Sequence, residues 1–226
     1  MVIEFYGMPG SGKTTFANDF AKKKYGDVSL INITDKSRTS FWYKVYFKIL
    51  RTLVKKNKEY LKYRDELIDI VREYRSISAK YNENNVFIDD YVMEMAYDIW
   101  TYKKLYEKKK IYIFDEGIVQ QIINMCVNYD VDIKTVEKLV DYIKKGKEYR
   151  CYYTNSIEST INSIEQRNRH VCFIDELKGK ELEDYLNKYN QSCSTLLGLT
   201  DSIKINREDD FDYKSDVICK AIGLER

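Results

Sequence analysis

The sequence predicts an α/β fold, a parallel β-sheet covered by helices, formed as a single domain over residues 1–226. Three observations predict it. Short apolar runs at 2–6, 28–33, 110–114, 148–154 and 202–206 are separated by helix-compatible segments, the alternation of a parallel sheet. The first run ends in Gly7-Met8-Pro9-Gly10-Ser11-Gly12-Lys13-Thr14-Thr15, which fits G-x-x-x-x-G-K-[ST] and opens a helix. The third run delivers Asp115-Glu116 at its carboxyl end, where an open parallel sheet binds its ligands.

The first element is a phosphate cradle. Gly7, Gly10 and Gly12 admit torsions closed to residues with a side chain, so backbone N–H groups converge on an anion. The helix starting near Lys13 adds its positive end to the same spot. Lys13 reaches the β- and γ-phosphates, the Thr14 hydroxyl suits Mg²⁺, and Pro9, Ser11 and Thr15 complete the nucleotide loop. The helix over 14–24 buries Phe16, Ala17, Phe20 and Ala21, and Gly26 caps it. The second strand runs into Thr34-Asp35-Lys36-Ser37-Arg38. Asp35 and Arg38 stand there where a substrate would lie, and Asp35 fits a turn or helix N-cap equally well.

Residues 40–110 contain no proline and fit three helices, near 40–56, 59–80 and 91–108. A parallel crossover needs only one, so about two are an insert, placed to bind an acceptor. Arg38, Arg51, Arg64, Arg72 and Arg75 interleave there with many aromatics. Guanidinium groups hold phosphate or carboxylate and ring faces stack on a base or sugar, although packing accounts for most of the rings. In 41–55, Lys44, Lys48, Arg51 and Lys55 share one helical face beside large aromatics. That pattern suits a membrane surface or a partner helix. A helix lying on its own domain with snorkelling lysines explains it too, and is the expectation we carry forward.

Asp115 is expected to hold Mg²⁺ through its water shell and Glu116 to face the substrate, with the reverse assignment open. Helices over 118–127 and 132–146 lead to the fourth strand. An arm over about 156–176 follows, with Arg167 and Arg169 placed to close over the triphosphate and neutralise charge on a transferring phosphoryl group. Helices over 179–197 and 213–222 flank the fifth strand, and Asn206 after it stands where a purine ring would lie. His170, the single histidine, is incidental, and neither a Ser-His-Asp triad nor a zinc site assembles.

Composition narrows the class. Charged residues are 33% of the chain, yet the net charge is only +2, which gives no case for nucleic acid. Five scattered cysteines without a C-x-x-C pair read as reduced thiols, so a cytoplasmic location is expected. No apolar run is long enough to span a membrane. A strand begins at once, so no signal peptide is expected.

In Gly7 to Thr15, in Asp115-Glu116 and in the Arg167/Arg169 arm, the chain resembles the P-loop kinases. Its order of elements is similar to the nucleoside and nucleoside-monophosphate kinases, thymidylate kinase among them. The resemblance implies a three-layer α/β/α sandwich on a five-stranded parallel sheet ordered 2-3-1-4-5. It also implies transfer of the ATP γ-phosphoryl group to a small acceptor, foremost a nucleoside or nucleotide. Lys13, Arg167 and Arg169 would then stabilise the phosphoryl group, Thr14 and Asp115 would hold Mg²⁺, and Asp35 or Glu116 would activate the acceptor. Three features depart from the family: Asp115-Glu116-Gly117 where thymidylate kinases usually carry Asp-Arg, the close spacing of Arg167 and Arg169, and the long aromatic insert. Asp35 is placed like the base of shikimate and gluconate kinases, which makes a sugar or other metabolite the alternative acceptor. An alternative of another class is a nucleotide-driven ATPase or switch acting on a protein or membrane partner. Against it, no Asn-Lys-x-Asp or Leu-Ser-Gly-Gly-Gln signature is found. A homodimer is compatible with either.

Overall fold

The computed structural model describes residues 1–23, 30–33, 41–72, 88–106, 110–129, 131–167 and 173–224. Strand β1 (Val2–Tyr6) is buried along its whole length, as a strand covered on both faces must be. It is the central strand. On one side it pairs in parallel with β3 (Ile111–Phe114), Ile3 opposite Ile113. On the other it pairs with β4 (Tyr149–Thr154), Phe5 opposite Cys151. Strand β2 (Leu30–Asn32) lies outside β3 and β5 (Ile203–Asn206) outside β4. The order is therefore β2-β3-β1-β4-β5, the 2-3-1-4-5 arrangement expected.

The described helices are α1 (Lys13–Lys22), α2 (Phe41–Val54), α3 (Lys58–Val71), α4 (Ile88–Tyr106) and α5 (Ile118–Tyr129). They continue with α6 (Ile133–Ile143), α7 (Ile157–Gln166), α8 (Gly179–Thr200) and α9 (Phe211–Ala221). Alternation along the strands sorts them into layers. Ile3, Phe5, Cys151 and Tyr153 form a core with Phe16, Ala17 and Phe20 of α1 and Ile218 and Cys219 of α9. Val2, Tyr6, Phe114 and Tyr152 turn to the other face, into a larger core supplied by α4, α5, α6 and α8. Tyr6 and Tyr152 stack there, ring centres 5.2 Å apart. Layer on sheet on layer gives the three-layer sandwich.

The described residues of the insert form helices, with shifted boundaries. Asn57 sets one of them: its side-chain oxygen accepts from the N–H groups of Glu59 and Tyr60, at 2.9 and 3.3 Å, so α3 starts at Lys58. Gly26, Asp35, Arg38, Arg75, Arg169, His170 and Cys172, and the break expected near 81–85, lie outside the described residues. Cys126, Cys151, Cys193 and Cys219 are buried free thiols. No described helix is long and apolar enough to cross a membrane.

Candidate active site

The loop between β1 and α1 is held by backbone geometry. Gly7, Gly10 and Gly12 have φ of +152°, +83° and +96°, values that side chains penalise. At Gly7 space adds to torsion, since a Cβ there would stand 2.3 Å from the carbonyl oxygen of Tyr153 at the end of β4. The Gly7 N–H donates to Oε1 of buried Gln120, 3.1 Å away, which ties the loop to α5. Lys13 opens α1 and is only 7% exposed. Its Nζ lies 3.5 Å from the Met8 carbonyl oxygen, folded back over the loop. Burial lowers the pKa of this ammonium, while Glu116 and then Asp115 favour the charged form. Ser11 is buried with its hydroxyl unpartnered among the described residues, Pro9 and Thr14 are half-buried and Thr15 is exposed.

Strand β3 separates its two carboxylates as alternation requires. Asp115 is wholly buried, whereas Glu116 is exposed. Among the described residues neither Asp115 oxygen has a hydrogen-bond partner. A buried carboxylate in that condition is costly unless a cation completes it. Within electrostatic reach of Lys13, it is an oxygen donor of the kind hard divalent cations take. The glycine that follows has its own cause. A Cβ on Gly117 would stand 2.2 Å from the Tyr102 hydroxyl and 2.7 Å from Glu4 Cδ.

Two arginines overhang the cradle. Arg167 ends α7, and its Nε donates to the Ser163 carbonyl at 3.3 Å. Its Nη2 is buried without a hydrogen-bond partner among the described residues, and would lie 2.7 Å from a Cβ on Gly10. Arg207, just after β5, donates through Nη1 to Ser163 Oγ at 2.8 Å and, at 3.4 Å, to the Gly10 carbonyl. Sequence reasoning gave Arg207 no role in the cradle, because nothing local marks a residue that reaches it from the sheet edge. It also missed Lys214 of α9, which is 6% exposed. The Nζ of Lys214 donates to the Arg207 carbonyl at 2.9 Å and to the Tyr153 hydroxyl at 3.4 Å. Its burial lowers the lysine pKa. This lysine pins the loop that carries Arg207. Asn206 is exposed, and its side-chain oxygen accepts from the Glu208 N–H at 3.2 Å, closing the turn.

Glu4 is a second buried acid, and a charge in the middle of an apolar strand was its signal. One carboxylate oxygen accepts the Val119 N–H at 2.5 Å, at the start of α5, and the other has no partner among the described residues. Burial raises its pKa to about 7, against the pull of nearby Arg150. Arg150 itself pairs with Glu148 at 2.9 Å. From the cradle, Gln120 continues a buried polar chain to the Tyr189 hydroxyl and Asn124. The structure thus brings together the glycines, Lys13, Thr14, Asp115, Glu116 and Arg167. Asp35 and Arg169 lie outside the described residues. A cavity of about 760 Å³ is lined by Tyr63, Ile99, Lys103, Ile118, Tyr142 and Glu148 among others.

No protein-family model matches the chain, and no curated protein does. Solved structures do. Deoxyadenosine kinase from M. mycoides with dCMP and dCDP bound shares 19% identity, covers 99% of both chains and has a TM-score of 0.50. The same enzyme with bound dATP shares 18% over 99% of this chain and 100% of that one, TM-score 0.51. The fold is that of the P-loop kinases. Shikimate kinase from Bacteroides thetaiotaomicron, at 12% identity over 99% of both chains and a TM-score of 0.51, has it too. In this P-loop kinase fold the cradle, Asp115-Glu116 and Arg167 fall around one point at the carboxyl end of the sheet.

Proposed function

We propose that the protein is an ATP- and Mg²⁺-dependent phosphotransferase that moves the γ-phosphoryl group to a small acceptor, foremost a nucleoside or nucleotide. One observation carries this reading. A cationic cradle, with buried Lys13 inside it and the unpartnered Arg167 Nη2 above it, faces a buried Asp115 carboxylate without a hydrogen-bond partner. Cations and acid are left in position for a polyphosphate and its metal. Lys13 and Arg167 would neutralise charge on the transferring group, joined by Arg169 from the same arm, with Arg207 supporting Gly10. Thr14 and Asp115 would hold Mg²⁺, which would offset the negative charge of the phosphates. Exposed Glu116 lies within electrostatic reach of Lys13, as an acceptor-side group must. Either Glu116 or Asp35 would take the acceptor proton.

The solved structures of similar fold include a nucleoside kinase and a shikimate kinase, so nucleosides come first in the acceptor panel and hydroxylated metabolites second. The test is ATP turnover by the full chain against nucleosides, nucleotides, sugars and hydroxy acids, with Glu116→Gln and Asp35→Asn alongside. Acceptor-dependent ADP formation is expected. The base variant should lose kcat roughly 10²- to 10⁴-fold while still binding ATP. Steady hydrolysis indifferent to every acceptor would overturn the reading.

A further inference from the structure

Helix α2 is more exposed than its place in the insert requires. Phe41 is 69%, Trp42 78%, Ile49 54% and Leu53 64% exposed. Solvated faces of a folded domain seldom gather large apolar groups in this way. At 100° per residue Trp42, Ile49 and Leu53 fall within an arc of about 40°. Among the described side chains of α2, Val54 is buried in the core and Leu50 packs against it, about 120° and 80° from the middle of that arc. The packing side and the apolar outer side are therefore separate faces of one helix. The expectation that snorkelling lysines cover this helix does not hold for these four side chains.

Charge decides what the outer face suits. Residues 41–58 hold Lys44, Lys48, Arg51, Lys55, Lys56 and Lys58 and no acidic residue. Lys48, Lys55, Lys56 and Lys58 are exposed. The whole chain is only +2, so the remainder is net acidic and the cationic charge is concentrated here. On the same count Lys48 and Lys55 lie about 120° and 140° from the middle of the arc, on the flank opposite Val54, and an apolar strip with a separate cationic flank is the pattern of a helix that lies in the headgroup layer of an anionic bilayer. A second copy of the same face would bring six like charges against six.

We propose that α2 docks the protein on anionic membrane surfaces, with Trp42, Ile49 and Leu53 entering the interface and Lys48, Lys55 and Lys56 meeting lipid phosphates. The helix lies on the membrane and does not cross it. The inference is independent of the phosphotransfer reading.

The test is co-sedimentation of the full chain with vesicles of phosphatidylcholine, with and without phosphatidylglycerol. Binding is expected only with the anionic lipid and should weaken as salt rises. Trp42 emission should shift to the blue on binding; Trp42→Phe removes that signal and leaves the emission of buried Trp100. Lys48→Glu with Lys55→Glu should lower the partition coefficient tenfold or more, at roughly fivefold for each lysine. Trp42→Ser with Leu53→Ser should abolish binding while preserving the thermal melt, since both side chains are exposed. Equal binding to neutral vesicles, no binding, or binding insensitive to the reversed charges would overturn the proposal. So would a dimer in analytical ultracentrifugation that Trp42→Ser converts to monomer, because the face would then belong to self-association.

Discussion

Two regions of this molecule hold their geometry by different means. Around the cradle position is fixed by backbone and burial: glycine torsions at Gly7, Gly10 and Gly12, a strand terminus packed on Gly7, and buried Gln120 and Lys214 fastening the flanking loops. In the insert, where an acceptor would be chosen, ion pairs such as Arg51 with Glu94 and Lys103 with Glu59 are open to solvent. Under the proposed reaction the phosphate side can stay fixed, because a polyphosphate is the same anion whatever the acceptor. The insert is free to vary because a helix surface can change its side chains without moving the sheet. Substitutions in the first region should therefore act through stability and nucleotide affinity, and those at the exposed ion pairs of the second should be small.

The sharpest way to break this contrast is Gly7→Ala. Torsion and contact both oppose it, and the blocking atom is a backbone carbonyl that cannot turn away. A cost on the order of 4 kcal/mol is expected in denaturant unfolding. Gly12→Ala meets only ordinary contacts, the nearest atom being Arg207 Nε at 3.9 Å. It should cost the torsional penalty alone, about 1–2 kcal/mol. If the two cost the same, the packing of β4 on the loop is not what holds the cradle.

Next in size is Glu4→Gln. In the folded protein Glu4 titrates at about 7, raised from 4.5, so the native state keeps a proton that the unfolded chain gives up. Its contribution is present in full below pH 4.5, falls as pH rises from there to about 7, and is flat above. The span is on the order of 3 kcal/mol. Glu4→Gln should remove that slope from melting temperatures between pH 5 and 8, and should be more stable than the parent at pH 8. A pH slope unchanged by the substitution would place the buried proton elsewhere.

Lys214→Met probes the nucleotide side at lower cost. The Lys214 Nζ lies 5.4 and 5.5 Å from the ring centres of Phe16 and Tyr153, where a methionine of similar length would sit without holding the Arg207 carbonyl. Under the proposed reaction, loss of one charge-assisted hydrogen bond should raise KM for ATP roughly tenfold. The value of kcat should change little, because no reacting atom is touched.

These residues show what was legible beforehand. The strands and the cradle could be read because they rest on local signals: apolar runs, glycine spacing, and carboxylates at a strand end; the sheet order was implied only by the resemblance to the P-loop kinases. The opposite orientations of Asp115 and Glu116 follow from strand alternation and were legible as well. Lys214 and Gln120 were not, because each acts on a segment far away in sequence. Lys214 reaches Tyr153, 61 positions off, and Gln120 reaches Gly7, 113 positions off. No helical or strand period announces such a partner. Glu4 stood in plain view, yet its meaning depends on Val119, Arg150 and Tyr102 converging on it. Gly117, a departure from the thymidylate-kinase pattern, becomes intelligible only with that same convergence.

The smallest expected effect tests the insert. Arg51 holds Glu94 through a 2.8 Å ion pair whose side chains are 55% and 40% exposed, and its guanidinium lies 5.1 Å from the Tyr97 ring centre. Solvent screens such a pair, and ordering two long side chains offsets much of the attraction. Contact with Tyr97 adds a comparable small term at a site this open. Arg51→Ala should therefore cost no more than about 1 kcal/mol in denaturant unfolding, and the difference should shrink at high salt. A loss several times larger and insensitive to salt would mean that α2 is fastened as firmly as the cradle. The contrast between a fixed phosphate side and an adjustable acceptor side would then fail at the helix that first suggested it.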